Sequence, residues 1–387
     1  MACQRSQQLE LASPDESVIL RTLRRLIYGE VINAVAFVTL GFLSLFFFFD
    51  FVEEVQSVGR HASTGYQMVH ALTYVALMIP SHLYELMPIA VLIGTIFVMA
   101  RLAQSSEYTI LRTSGLDPWR ALKTLLTLGL GFFLLTFAIG DYLSPLADRS
   151  AQLLKARYTG FITLGQTGAW LKEKQPDRQY AVNVGELAPD GSLRNVRIFE
   201  FDNQGLLKSM SHAEFAIIQE DNAWLLTRAN RTELPSRDDT TLKIERVIEP
   251  TLRWPNQISA EMVSAALLKP ERMSTVDLFQ YIRHLQDNAQ SAQRYEIEFW
   301  KKVFYPLSCL VMVVLALPFA HLHFRSGGIA TYVFGGVMAG ISFFLLNNVF
   351  GYIGNLQNWQ PWLTAALPGL IYSVLSLTAF AWLVFRR

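Results

Sequence analysis

The most informative short segment is Ala103–Asp117, AQSSEYTILRTSGLD. Ser105 or Ser106 can cap a short helix, Glu107 suits its positive N-terminal end, Arg112 suits the last turn and Gly115 stops it. Between two hydrophobic stretches, such a two-turn helix is either a docking element for a partner or a capped connector with a solvated carboxylate. His321 and His323 are the close histidine pair. Positions i and i+2 do not share a helix face, so they read as interfacial polar residues and not as metal ligands. GxxxxGK[ST], HExxH and GxSxG are absent, which removes P-loop nucleotide hydrolysis and the commonest metalloprotease and hydrolase chemistries. No pair of acids sits inside an apolar stretch, which argues against a proton-coupled carrier. The chain reads as non-enzymatic, with no metal or cofactor of its own.

The elements that must position these residues follow from where charge is missing. The 387 residues are 51% apolar and 17% charged, with a net charge of +1. That balance excludes disorder and a basic nucleic-acid binder, and two cysteines exclude a disulfide scaffold. Ser326–Phe385 holds no Asp, Glu, Lys or Arg. A run of that length suits two membrane spans, near 329–350 and 361–385, around the turn Gly351–Pro361. Val303–Ala320 is a further uncharged run whose helix begins near Phe299. Val31–Phe49 and Thr124–Gly140 are two more, the latter led by Asp117 as N-cap and Pro118 at the first helical position. Tyr66–Ala100 contains one acid, Glu85, and is too long for one straight span. Pro80 and Pro88 predict a break, with a span over Leu83–Leu102, and Glu85 is expected to pair with His82. Six spans put Arg21, Arg24, Arg25, Arg101, Arg112, Arg325, Arg386 and Arg387 on one side, the cytoplasmic side by the positive-inside rule.

Residues 141–298 differ in kind. Short alternating runs, Gln179–Leu187, Leu193–Phe201, His212–Gln219, Ala223–Ala229 and Thr241–Val247, lie between turn sequences such as Asp202-Asn203-Gln204-Gly205. They predict an all-β sandwich or open barrel outside the cytoplasm, followed by a helix over Thr275–Gln293. The organisation is thus 1–140 with three spans, 141–298 with the β domain and 299–387 with three spans.

The segments ELMPIAVLIG, LAQSSEYTILRTSGLDPWRA, AIGDYLSPLADRSAQ and FWKKVFYPLSCLVMVVLALPFA resemble the LptF/LptG family of lipopolysaccharide-export permeases, nearer its LptG branch, over essentially the whole chain. The resemblance implies an α-helical polytopic inner-membrane protein, six transmembrane helices in a 3+3 order with an inserted periplasmic jellyroll-like β domain. It implies a permease subunit that extracts lipopolysaccharide and passes it to a periplasmic bridge. Its implied partners are an LptB-like ATPase dimer that holds ATP and Mg, an LptF-like second permease, an LptC-like bridge protein, lipopolysaccharide and membrane lipids, with no nucleic acid. The loop 104–114 becomes the coupling helix, with Glu107, Tyr108, Leu111 and Arg112 against the ATPase. The alternative is a membrane scaffold that presents its β domain to partner proteins without transporting anything.

A host for acyl chains and anionic phosphates needs an apolar wall with cations at its rim. Phe42, Leu45, Phe46 and Phe49 share an i, i+3, i+4, i+7 stripe that could form such a wall or simply pack. On span 5, Gly335, Gly336 and Gly340 thin the helix, and Phe343, Phe344 and Asn347 lie beyond them. Arg149, Lys155 and Arg157 follow span 3. The resemblance puts Lys155 where a basic residue faces lipid phosphate, and puts Asp50, Glu53 and Glu54 where relatives carry lysines. Lys301 and Lys302, at the outer end of span 4, either snorkel or meet an anionic head group.

Overall fold

A computed structural model describes residues 16–60, 64–105, 118–159, 168–175, 177–188, 190–219, 223–235, 244–256, 258–259, 262–263, 269–321 and 328–385. The helices are α1 (Glu16–Arg60), α2 (Met68–Gln104), α3 (Pro118–Ala138), α4 (Ser144–Thr159), α5 (Thr275–Asp287), α6 (Gln293–Phe304), α7 (Ser308–Ala316), α8 (Ile329–Leu356) and α9 (Pro361–Phe385). Five spans are long and apolar enough to cross a membrane: α1, α2, α3 run on into α4, α8 and α9. The bent pair α6–α7 makes a sixth.

The bundle is built around α2. Every residue from Leu86 to Leu102 except Phe97 and Arg101 is buried, whereas α1 buries chiefly the stripe Ile27, Val31 and Val35 against it. The break expected at Pro80 and Pro88 does not occur: α2 is one 37-residue helix through both prolines. Enclosure by neighbouring helices lets a proline-containing helix continue, because side chains can reach the backbone around it. Pro88 frees the Tyr84 carbonyl, and beside it Tyr305 Oη donates to Glu85 O at 2.5 Å. At about 55 Å, α2 overreaches a ~30 Å hydrocarbon core. Its excess lies alongside α4, where Ser81 Oγ meets Ser144 Oγ at 2.6 Å and Tyr158 Oη meets His70 Nε2 at 2.7 Å.

Residues 141–159 carry charge yet prolong span 3, first as a π-helical turn (Ile139–Leu143) and then as α4. The fourth span starts at Gln293, ahead of the expected Phe299, and bends by 46° between α6 and α7, where Pro306 cannot continue the hydrogen-bond ladder. α8 runs to Leu356, so the turn expected at 351–361 shrinks to 357–360. Gly336 and Gly340 bring α8 against α2: a Cβ at either would lie 2.8 Å from Ile96 or Ile89.

The inserted β domain is a six-stranded antiparallel meander in the order β1 (Ala169–Lys174), β2 (Gln179–Leu187), β3 (Leu193–Phe201), β4 (Leu207–Ile218), β5 (Trp224–Glu233) and β6 (Glu245–Trp254). Its core joins Val182, Val184, Ile198, Trp224 and Leu226 to Leu278, Tyr281, Ile282 and Leu285 of α5. The inside–outside alternation slips once in each central strand: buried positions jump from Leu193 to Val196, from Ala213 to Ala216 and from Leu226 to Ala229. Asn195 and Arg228 adopt φ of 51° and 54° there, and the register aligns them through Glu214. One left-handed residue in β3 and one in β5 reverse the pleat, and the slip of β4 falls between them, which creases the sheet along a single line.

Candidate functional site

Of the residues read as lipid-binding, those on α1 and α4 lie where these helices meet α2. On α1, Leu45 (49%), Phe46 (36%) and Phe49 (58%) are exposed and Phe42 is half-buried. Phe46 also stacks on His82, ring centroids 5.0 Å apart. His82 Nε2 lies 2.6 Å from Asp50 Oδ2, so its partner is Asp50 on α1 and not the expected Glu85.

The rim cations divide into two groups. Arg149 and Arg157 on α4 are exposed. Lys155 instead turns inward: its Nζ donates to Glu54 Oε2 at 2.8 Å and sits 4.7 Å from the centre of the Tyr74 ring. Glu54 is 5% exposed, and Tyr66 Oη donates to its other oxygen at 2.9 Å. Burial, then the adjacent carboxylate, pushes the Tyr66 hydroxyl above its ordinary range, so it stays a donor. Lys155, read from the sequence as facing lipid phosphate, is thus held in an ion pair within the chain.

The two lysines of α6 also have partners within the chain. Lys301 pairs with Glu298 at 2.7 Å, and its Nζ occupies the space beside Gly351. Lys302 is buried, and its Nζ donates to Gly140 O at 2.8 Å. The π turn leaves that carbonyl available to a side chain. Gly140 is required there because a Cβ would enter the Tyr84 ring. The next residue, Asp141, accepts from Thr275 N at 2.7 Å and from the Thr275 hydroxyl, at the N-terminal end of α5. A turn in span 3 thus ties span 4 to the helix under the sheet.

On α8, Phe343 is 2% exposed and packs between Tyr305 (6.1 Å) and Tyr372 (5.2 Å). It joins α8 to the broken span and to α9. Phe344 and Asn347 are half-buried. Glu107, Tyr108, Leu111 and Arg112 lie outside the described residues, as do His323 and the N-cap Asp117. Sequence reasoning passed over Gly140, Asp141 and Tyr66. The one local signal was a Gly-Asp pair closing an uncharged run. Among the described residues no cluster of three His, Cys, Asp or Glu could hold a metal ion.

Set against known families, residues 25–383 match the model of the lipopolysaccharide export system permease LptF/LptG. The chain belongs to this family. Two LptF/LptG-family relatives span it almost end to end. The lipopolysaccharide export system permease protein LptG of Haemophilus influenzae is 26% identical over 372 residues, 95% of this chain and 99% of that protein. The protein of the same name from Escherichia coli K12 is 27% identical over 363 residues, 93% and 97% of the two chains. Most similar to LptG, this LptF/LptG-family chain carries the inserted β domain within the matched range, so the match covers spans and sheet together.

Proposed function

We propose that the chain is the non-catalytic permease subunit of an ATP-driven complex that extracts lipopolysaccharide from the outer leaflet of the bacterial inner membrane and passes it to a periplasmic bridge. The observation that carries this reading is the family match across spans and sheet alike, to proteins named for lipopolysaccharide export. The placement of arginines supports an orientation with both termini and loop 104–114 in the cytoplasm and the sheet in the periplasm. Acyl chains lie along Phe42, Leu45, Phe46 and Phe49, with Phe344 and Asn347 across from them. Phosphates meet Arg149 and Arg157, the cations of the rim that stay exposed. The creased sheet offers the lipid a continuation toward an LptC-like bridge. An LptF-like permease completes the cavity, and an LptB-like ATPase dimer holds ATP and Mg and seats the coupling helix through Glu107, Tyr108, Leu111 and Arg112.

The test is Glu107→Ala in the purified complex. Lower lipid-stimulated ATPase activity or a lower yield of assembled complex is expected. Wild-type values of both would remove Glu107 from coupling.

A further inference from the structure

Glu30 pairs with Arg101 in the last turn of α2, and this pair marks the inner edge of the hydrocarbon core, where charge is tolerated. Measured from Glu30 along a helix axis, Phe42 and Phe49 lie about 18 Å and about 28 Å away. The stripe therefore occupies the outer half of a ~30 Å core, where acyl chains of the outer leaflet run. Glu53 lies about 34 Å away, just outside that core, at the level of lipid phosphates. It is four residues beyond Phe49 and seven beyond Phe46, so it continues the same face of α1. The two acids beside it are engaged: Asp50 meets His82, and Glu54 meets Lys155 and Tyr66. Glu53 is exposed, and among the described residues no hydrogen bond or ion pair engages it. The Glu54–Lys155 pair brings α4 to the same level, so the exposed Arg157, two residues from Lys155, shares the rim. The apolar face thus ends on a carboxylate within a rim of mixed charge.

We propose that Glu53 determines which head group the site accepts, favouring lipid A whose phosphates carry an ammonium-bearing substituent over lipid A with bare phosphates. Arg149 and Arg157 attract either phosphate. A carboxylate at the same level repels the bare group and attracts the ammonium. One attractive and one repulsive contact together are what discrimination requires. At an exposed rim, ionic screening keeps the preference modest. The inference rests on the reading of Phe42–Phe49 as the wall that receives lipid, and it names the head group matched to that wall.

The test equilibrates the whole complex in vesicles holding equal amounts of two lipopolysaccharides. One has bare lipid A phosphates, and the other has them capped by an amino sugar. EDTA is present so that divalent ions mask neither phosphate. After purification in mild detergent, mass spectrometry of the retained lipid gives the ratio of capped to bare forms. The wild-type ratio is expected at about three or more, Glu53→Gln near one and Glu53→Lys below one. Glu53→Gln should melt with the wild type, because the side chain is exposed. A wild-type ratio of one, or a ratio that Glu53→Gln leaves unchanged, overturns the inference. So does a preference that appears only when magnesium replaces EDTA. Retention of both lipids at a ratio of one sinks this inference alone, whereas retention of neither sinks the permease reading.

Discussion

Lys155→Ala is the perturbation that separates a structural cation from a lipid ligand. In the structure Lys155 Nζ lies 2.8 Å from Glu54 Oε2, with the side chains 33% and 6% exposed. Coulomb attraction at that distance and an effective dielectric of 20 is about 6 kcal/mol. Desolvation cancels much of it. Removing one partner of a buried pair costs about 3–5 kcal/mol, and screening at the lysine end lowers that to about 2 kcal/mol. Glu54→Gln keeps an acceptor for Tyr66 and leaves a lysine that can still reach water, so about 1 kcal/mol is expected. The double variant Lys155→Ala/Glu54→Gln should lose less than the sum of the two, with a coupling of about 1–2 kcal/mol. Denaturation of the detergent-solubilised protein reads the stability, and the lipopolysaccharide retained through purification reads the binding. Lys155→Ala should lower the first more than the second, whereas Arg149→Gln/Arg157→Gln should do the reverse. Wild-type stability with lipid lost in Lys155→Ala would refute the ion-pair assignment and return Lys155 to the rim.

Two further outcomes follow from the turn in span 3 and the core beneath the sheet. Gly140→Val forces a side chain into the Tyr84 ring and should destabilise by about 1–3 kcal/mol in thermal melts. Adding Tyr84→Leu should recover part of that loss, and no change on Gly140→Val would contradict the packing. His284, buried on α5, is held below its ordinary pKa by burial. The unfolded chain therefore binds a proton that the folded domain resists, so stability is full above about pH 6.5 and declines as pH falls below it. Urea midpoints followed by near-UV circular dichroism at pH 7.5 and 5.5 check this slope, and His284→Gln should flatten it.

The spans were legible because the apolar solvent of a bilayer forbids charge over whole helices, a signal that needs no knowledge of neighbours. β2 and β3 match their alternating runs end to end. β4 begins at Leu207, ahead of the run His212–Gln219, and β5 continues to Glu233, past the run Ala223–Ala229. β1, AWLKEK, interleaves charge at an edge and gave no apolar run. The two prolines of α2 predicted a break that the surrounding helices suppress. At the site, exposure of the α1 stripe could be read from spacing, but the fates of the cations could not. Lys155 and Glu54 are 101 residues apart, and Lys302 and Gly140 are 162 apart. A partner at such separation leaves no local mark, so a lysine bound inside and a lysine waiting for phosphate look the same in a sequence.

The most direct measurement of the central claim is native mass spectrometry of the complex purified from its own membranes in mild detergent. The account predicts this chain together with a second permease, an ATPase dimer and a bound lipid A species. Recovery of the chain with neither an ATPase nor a lipid A species would contradict it.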